Sequence, residues 1–170
     1  MGDERNGWGS LDAPTTDGVY ARRPDEHAIP TPSDDVVHVL ADGSNTRGLA
    51  SFLEYRLSPR ASGPPVHWHA KTDELFYVVS GQLAMRSGDN DQVLGPRDFA
   101  FVPRGAPHTF SNPTDDETVF VSAWTPAGAE QAWLIAHHLI GEFGLEGIPP
   151  ERLAELMEVA DTIVVEPTTA

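Results

Sequence analysis

The chain has 170 residues, 39% of them apolar, with 4 Trp, 3 Tyr and 7 Phe; this suits one domain with a sizeable core and excludes wholesale disorder. Its 26 acidic residues against 11 basic ones give a net charge of −15, which repels phosphate backbones and anionic membrane surfaces, so neither nucleic acid nor membrane is an expected partner. Cysteine is absent and Gly and Pro number 15 each, which excludes thiol and disulfide chemistry and disfavours a helical bundle.

Three segments follow in chain order: an N-terminal arm over 1–35, a β domain over 36–125, and a C-terminal helical extension and tail over 126–170. The arm carries Pro14, Pro24, Pro30 and Pro32 and little periodicity. It reads either as a partly disordered leader or as a segment lying on the domain or crossing to a partner subunit. No basic segment followed by an apolar run opens the chain, and no apolar stretch approaches the ~18 residues of a membrane span. A cytoplasmic location is the expectation.

In the β domain, Val36–Leu40 is β-branched, and Leu49–Leu57 opposes Phe52, Glu54 and Arg56 to Leu53, Tyr55 and Leu57. Glu74–Val79 is the clearest strand, and Ser80-Gly81 turns it into Gln82–Arg86. Gln92–Leu94, Phe99–Val102, His108–Phe110 and Val119–Ala123 complete the series. Short strands spaced by roughly 8–12 residues predict an all-β sandwich or small barrel. From Pro126 the pattern turns helical, with Ala129–Ile140 ended by Gly141, and Glu151–Ala160 after Pro149-Pro150. Both helices are expected to cap one face of the barrel, with a lid or a dimer contact as the alternative.

Seven histidines carry most of the chemical information. In an extended His67-Trp68-His69, residues two apart point to one face, so both imidazoles reach one point. Glu74 opens the next strand, and His108 follows the turn Pro103–Pro107. Imidazole and carboxylate together suit first-row divalent ions, and four protein ligands on a six-coordinate ion leave two positions open. Spacing alone leaves a second reading, in which His67 and His69 are unrelated surface or core residues. His137 and His138 are helix neighbours that point about 100° apart and chelate poorly. They and His27 and His38 are read as surface or packing residues.

Residues Gly63–Glu74, running on to Gly81, resemble the first motif of the cupin superfamily: His-x-His, a Glu after four intervening residues, and a closing Gly after six more. Asp98–Asn112 resembles the second, with Pro103, Gly105, His108 and Asn112 in its Pro-x-Gly-x-x-His-x-x-x-Asn core. One departure is Arg97, where the family's opening Gly normally sits. The resemblance implies an all-β double-stranded β-helix, a jelly-roll barrel with C-terminal helices. It also implies one divalent transition metal per chain on His67, His69, Glu74 and His108. Fe, Ni or Mn is favoured, and Co, Cu and Zn are compatible with the same donors. A homodimer is the expected assembly.

Trp124–Glu130 resembles the exit sequence of the quercetin dioxygenase-like group. The leading expectation is therefore a metal-dependent dioxygenase acting with O2 on a small enolisable or phenolic, polyketide-like molecule. Glu74 would serve as ligand and potential base, and Phe76, Val78, Phe99, Phe101 and Phe110 would form the substrate pocket. A redox-neutral cyclase, isomerase or lyase is the first alternative. A non-catalytic binding or structural cupin is the second.

Overall fold

The computed structural model describes residues 28–31, 34–144 and 147–165. Most of the predicted N-terminal arm, with His27, lies outside the described residues, as do 166–170. The arm's last described stretch forms an edge strand, β1 (Ala28–Pro30), paired antiparallel with β2 (Val36–Ala41).

Alternation drives the main sheet. Along β3 (Ser51–Leu57), Leu53, Tyr55 and Leu57 are buried while Phe52 is exposed. β5 (Asp73–Ser80) buries Glu74, Phe76 and Val78, and β10 (Thr118–Thr125) buries Phe120, Ser122 and Trp124. With β8 (Phe99–Val102), these strands form a six-stranded antiparallel sheet in the order β1-β2-β3-β10-β5-β8. A three-stranded sheet, β7-β6-β9, combines β6 (Leu83–Ser87), β7 (Asn90–Leu94) and β9 (Thr109–Ser111). A two-stranded sheet pairs β4 (His67–His69) with β11 (Thr162–Val164). The core lies on the inner face of the large sheet around Leu53, Phe76, Val78, Leu83 and Phe120. Each such side chain contributes roughly 1.5–3 kcal/mol by burial.

The all-β jelly-roll barrel expected from the sequence is not what forms. Among the described residues no sheet closes on itself; the strands fall into three open sheets joined by two helices, a mixed α/β architecture. The physical reason is pairing at the edges: β8 pairs with β5 alone, and β4 pairs with the C-terminal β11 instead of continuing the large sheet. The helices also shift from their predicted bounds. α1 spans Gln131–Phe143 and runs through Gly141, ending at Gly144, whose φ of 72° stops the helix. α2 spans Pro150–Val159. Glu130, fully buried at the start of α1, accepts the Gly43 amide at 2.9 Å and the Gly128 amide, fastening α1 to the turn after β2.

Candidate metal centre

Three connections bring four side chains together. The pleat of β4 places His67 and His69 on one face. β5 begins four residues later and turns Glu74 inward. His108 joins through a reciprocal backbone bridge: its amide donates to His67 O at 2.8 Å, and the His67 amide donates to His108 O at 2.9 Å. The Gly105 amide also donates to His69 O at 2.8 Å, tying the 103–107 turn to β4. Arg104 grips Asp73 in bidentate fashion, and its guanidinium hydrogen bonds hold the Asp73 carboxyl down at about 2. One donor atom from each of His67, His69, Glu74 and His108 lies within 4.8 Å of the others, and all four residues are buried.

Hydrogen bonds fix how each ring is aimed. His67 Nδ1 donates to Pro65 O (2.9 Å), His108 Nδ1 to Ala106 O (3.0 Å) and His69 Nδ1 to Asp161 O (3.1 Å). Carbonyls only accept, so each Nδ1 carries the proton, and in the neutral ring each Nε2 presents a lone pair. Glu74 is equally constrained: its Oε1 accepts Ser122 Oγ–H and Trp124 Nε1–H, both at 2.7 Å. That leaves Oε2 facing His108 Nε2 at 3.0 Å and His69 Nε2 at 3.3 Å. Burial alone would raise the Glu74 carboxyl; the adjacent His108 and His69 rings outweigh it and hold the group well below its usual range. Burial lowers His67. Burial also works against His69, but its Glu74 neighbour wins and raises it.

This donor set fits a cation. Three imidazole nitrogens and one carboxylate oxygen converge in a buried site, and His69 Nε2 is buried without a hydrogen-bond partner. Lone pairs aimed at one point repel each other unless a positive charge lies between them. The backbone acceptors behind the rings are the kind of outer support that keeps metal-binding histidines in register.

A cavity of about 560 Å³ opens over this centre. His67, His69 and Glu74 form its floor, and Tyr55, Phe110, Trp124, Trp133, Leu156 and Val164 contribute walls. Of the predicted pocket residues, Phe110 lines this cavity. Phe76 and Val78 are fully buried in the core and do not reach its wall. Phe99 and Phe101 are 58% and 53% exposed and point the opposite way, since β8 turns Ala100 and Val102 inward. They border a second groove of about 260 Å³ with Met85 and Gln92, which His108 also lines.

Ser122, Trp124, Tyr55, Trp133 and Asp161 escaped the sequence reading. A buried Ser and Trp two apart on one strand face signal a polar neighbour inside the core. Asp161 has no local signal, because its partner His69 is 92 residues away.

Residues 53–124 match the family described as Cupin domain. This stretch is a cupin-superfamily domain. A curated relative, Oxidoreductase iacF of Pestalotiopsis fici, is 34% identical over 65 residues, covering 37% of this chain and 32% of that protein. The match thus spans about a third of that relative's length. Among solved structures, the polyketide cyclase RemF from Streptomyces resistomycificus superposes with a TM-score of 0.55 at 21% identity, covering 64% of this chain and 80% of that one. A predicted oxalate decarboxylase from Thermotoga maritima gives 0.56 at 18% identity, covering 64% and 99%. At such identities these likenesses speak for the fold. They do not single out the quercetin dioxygenase-like group, and the expected dioxygenase and oxidoreductase assignment is corrected accordingly: the fold is shared with a polyketide cyclase and a predicted oxalate decarboxylase. No helix among the described residues is long and apolar enough to cross a membrane.

Proposed function

We propose that this cupin is a redox-neutral, metal-dependent enzyme of the cyclase, isomerase or lyase kind, acting on an uncharged, largely apolar molecule of about ring-system size. The observation that carries the substrate class is the cavity wall: aromatic and aliphatic side chains surround the metal centre, and among the described residues no lysine or arginine lines it and its acids are Asp35 and Glu74. A phosphorylated or carboxylated substrate would find no cationic side chain in this wall, and only the bound ion would offset the cost of desolvating its charge.

His67, His69, Glu74 and His108 would hold one divalent ion, which supplies Lewis acidity toward a substrate oxygen. Glu74, pinned through Oε1 by Ser122 and Trp124, serves as a fixed ligand and not as a mobile base. Tyr55 is a proton-bearing group of the wall. Burial, then the nearby Glu74 charge, raises its phenol well above its usual value, so Oη keeps its proton and donates to a substrate oxygen. Its ring is held by stacking on Phe120 at 4.8 Å and by edge contacts with Phe110 and Trp133 at 5.9 Å. The dry walls keep water from an activated substrate.

The test is an anaerobic and aerobic screen of metal-loaded protein against matched neutral and anionic phenols and β-dicarbonyls. Neutral compounds should bind more tightly and turn over equally without O2. Turnover that requires O2, or a preference for the anionic member of each pair, would contradict the reading.

A further inference from the structure

The three histidines are not supported alike. His67 and His108 each donate Nδ1–H to the carbonyl two residues earlier in their own loops, Pro65 and Ala106. Those acceptors travel with the ring. His69 instead depends on Asp161 O, supplied from 92 residues away, and its Nε2 is buried with no hydrogen-bond partner.

Asp161 is itself held in place. Its φ is 52°, a left-handed conformation that Asp tolerates and β-branched residues resist. Its carboxylate Oδ2 accepts the Lys71 amide at 2.7 Å, so the residue clasps the β4–β5 connection with its side chain while its carbonyl aims His69. β11 follows at once and zips antiparallel onto β4, with Thr162 opposite His69 and Val164 opposite His67; the Val165 amide then donates to Val66 O at 2.9 Å. The same segment walls the cavity through Leu156, Ala160, Thr162 and Val164.

We propose that Asp161 is a positioning residue for the metal centre, and that through it metal loading and closure of the C-terminal cavity wall stabilise each other. The inference rests on the metal reading above. Correct aim of His69 requires the seated C-terminal segment. By linkage, an ion that draws His69 into line favours the seated segment to the same degree.

The experiment uses the full chain and Co2+ as the probe, with affinity from chelator competition, the visible Co2+ spectrum, and hydrogen exchange at the Lys71 and Val165 amides. Asp161→Val removes the carboxylate and opposes the left-handed backbone; it should weaken Co2+ about 10–100-fold, alter the Co2+ spectrum, and lose the protection that Co2+ confers on both amides in the wild type. Asp161→Asn keeps an acceptor and the backbone conformation and should stay within about threefold of wild type. Asp161→Gly keeps the backbone and carbonyl but not the clasp, and covers the case in which the Val variant does not fold; it should lose Lys71 protection and bind Co2+ more weakly than Asp161→Asn. Wild-type affinity and spectrum in both the Val and Gly variants, or in Gly alone if Val does not fold, overturn the inference while leaving the metal reading intact. Failure of the wild-type chain to bind Co2+, with His69→Ala indistinguishable from it, overturns the metal reading and this inference together.

Discussion

Trp124 and Ser122 show how little freedom the centre leaves to its one acid. Each donates a 2.7 Å hydrogen bond to Glu74 Oε1, so the other oxygen can only face the histidines. Trp124→Phe keeps an aromatic of similar shape and deletes one donor. Metal affinity should fall by about 10–100-fold while the protein still folds, as chelator competition and circular dichroism would show. Unchanged affinity would mean that Trp124 does not orient Glu74. Tyr55→Phe removes Oη and leaves the stacking on Phe120. It should lower turnover of a neutral substrate by about 10²–10⁴-fold with metal content intact, and an unchanged rate would show that the hydroxyl donates no proton to the substrate. At this scale the sequence was informative wherever chemistry is local. His67, His69 and Glu74 lie within eight residues, and a single turn precedes His108. The groups that aim them were hidden because their partners are distant in sequence: 48 residues for Ser122 and Glu74, 92 for Asp161 and His69.

Two glycines separate backbone strain from crowding among the elements. Gly81, at the turn from β5 to β6, has φ 75°, and a Cβ there would lie 2.5 Å from Thr118 Oγ1 and 2.7 Å from Glu117 O. Gly48 has φ 73° with open space around it. Gly48→Ala should therefore cost only the left-handed backbone, about 1–2 kcal/mol. Gly81→Ala should cost more, because Thr118 Oγ1 must also leave the Gln82 backbone it bonds. Urea unfolding midpoints decide this, and equal losses would contradict it. Long alternating strands such as β3, β5 and β10 were readable because period-two burial needs about five residues to show. The three-residue β4 and β11 are too short to carry a period, and their pairing joins opposite ends of the domain. Phe99 and Phe101 illustrate another limit: alternation identifies two faces of β8 but not which one meets the core. Gly141 does not take the left-handed conformation that ends α1 at Gly144, so the helix runs past it.

Sheet closure belongs to the whole molecule, and it was the part of the fold the sequence did not reveal. Hairpins such as β6–β7 are set by neighbouring residues, whereas closure depends on which edges meet across the chain. Here β11 occupies the edge of β4, and the helices complete the cavity. The charge is also a property of the whole. A net of −15 on 170 residues repels itself in the compact state. Exposed pairs such as Arg60–Asp115 and Arg86–Asp91 offset little of this. Raising salt from about 10 to about 150 mM shortens the screening length from roughly 30 to 8 Å and should raise the melting temperature by about 2–4 °C, equivalent to ~1 kcal/mol. A fall would show that attractive pairs dominate the surface.

The central claim is that His67, His69, Glu74 and His108 form one metal site, and the ion-to-chain ratio after reconstitution with a single divalent metal tests it most directly. Elemental mass spectrometry should return about one equivalent for the wild-type chain and for His138→Ala, whose ring lies on the exposed face of α1 beside Glu142. His69→Ala and His108→Ala should retain far less. No bound ion in the wild type, or undiminished metal in both ligand variants, would contradict the account.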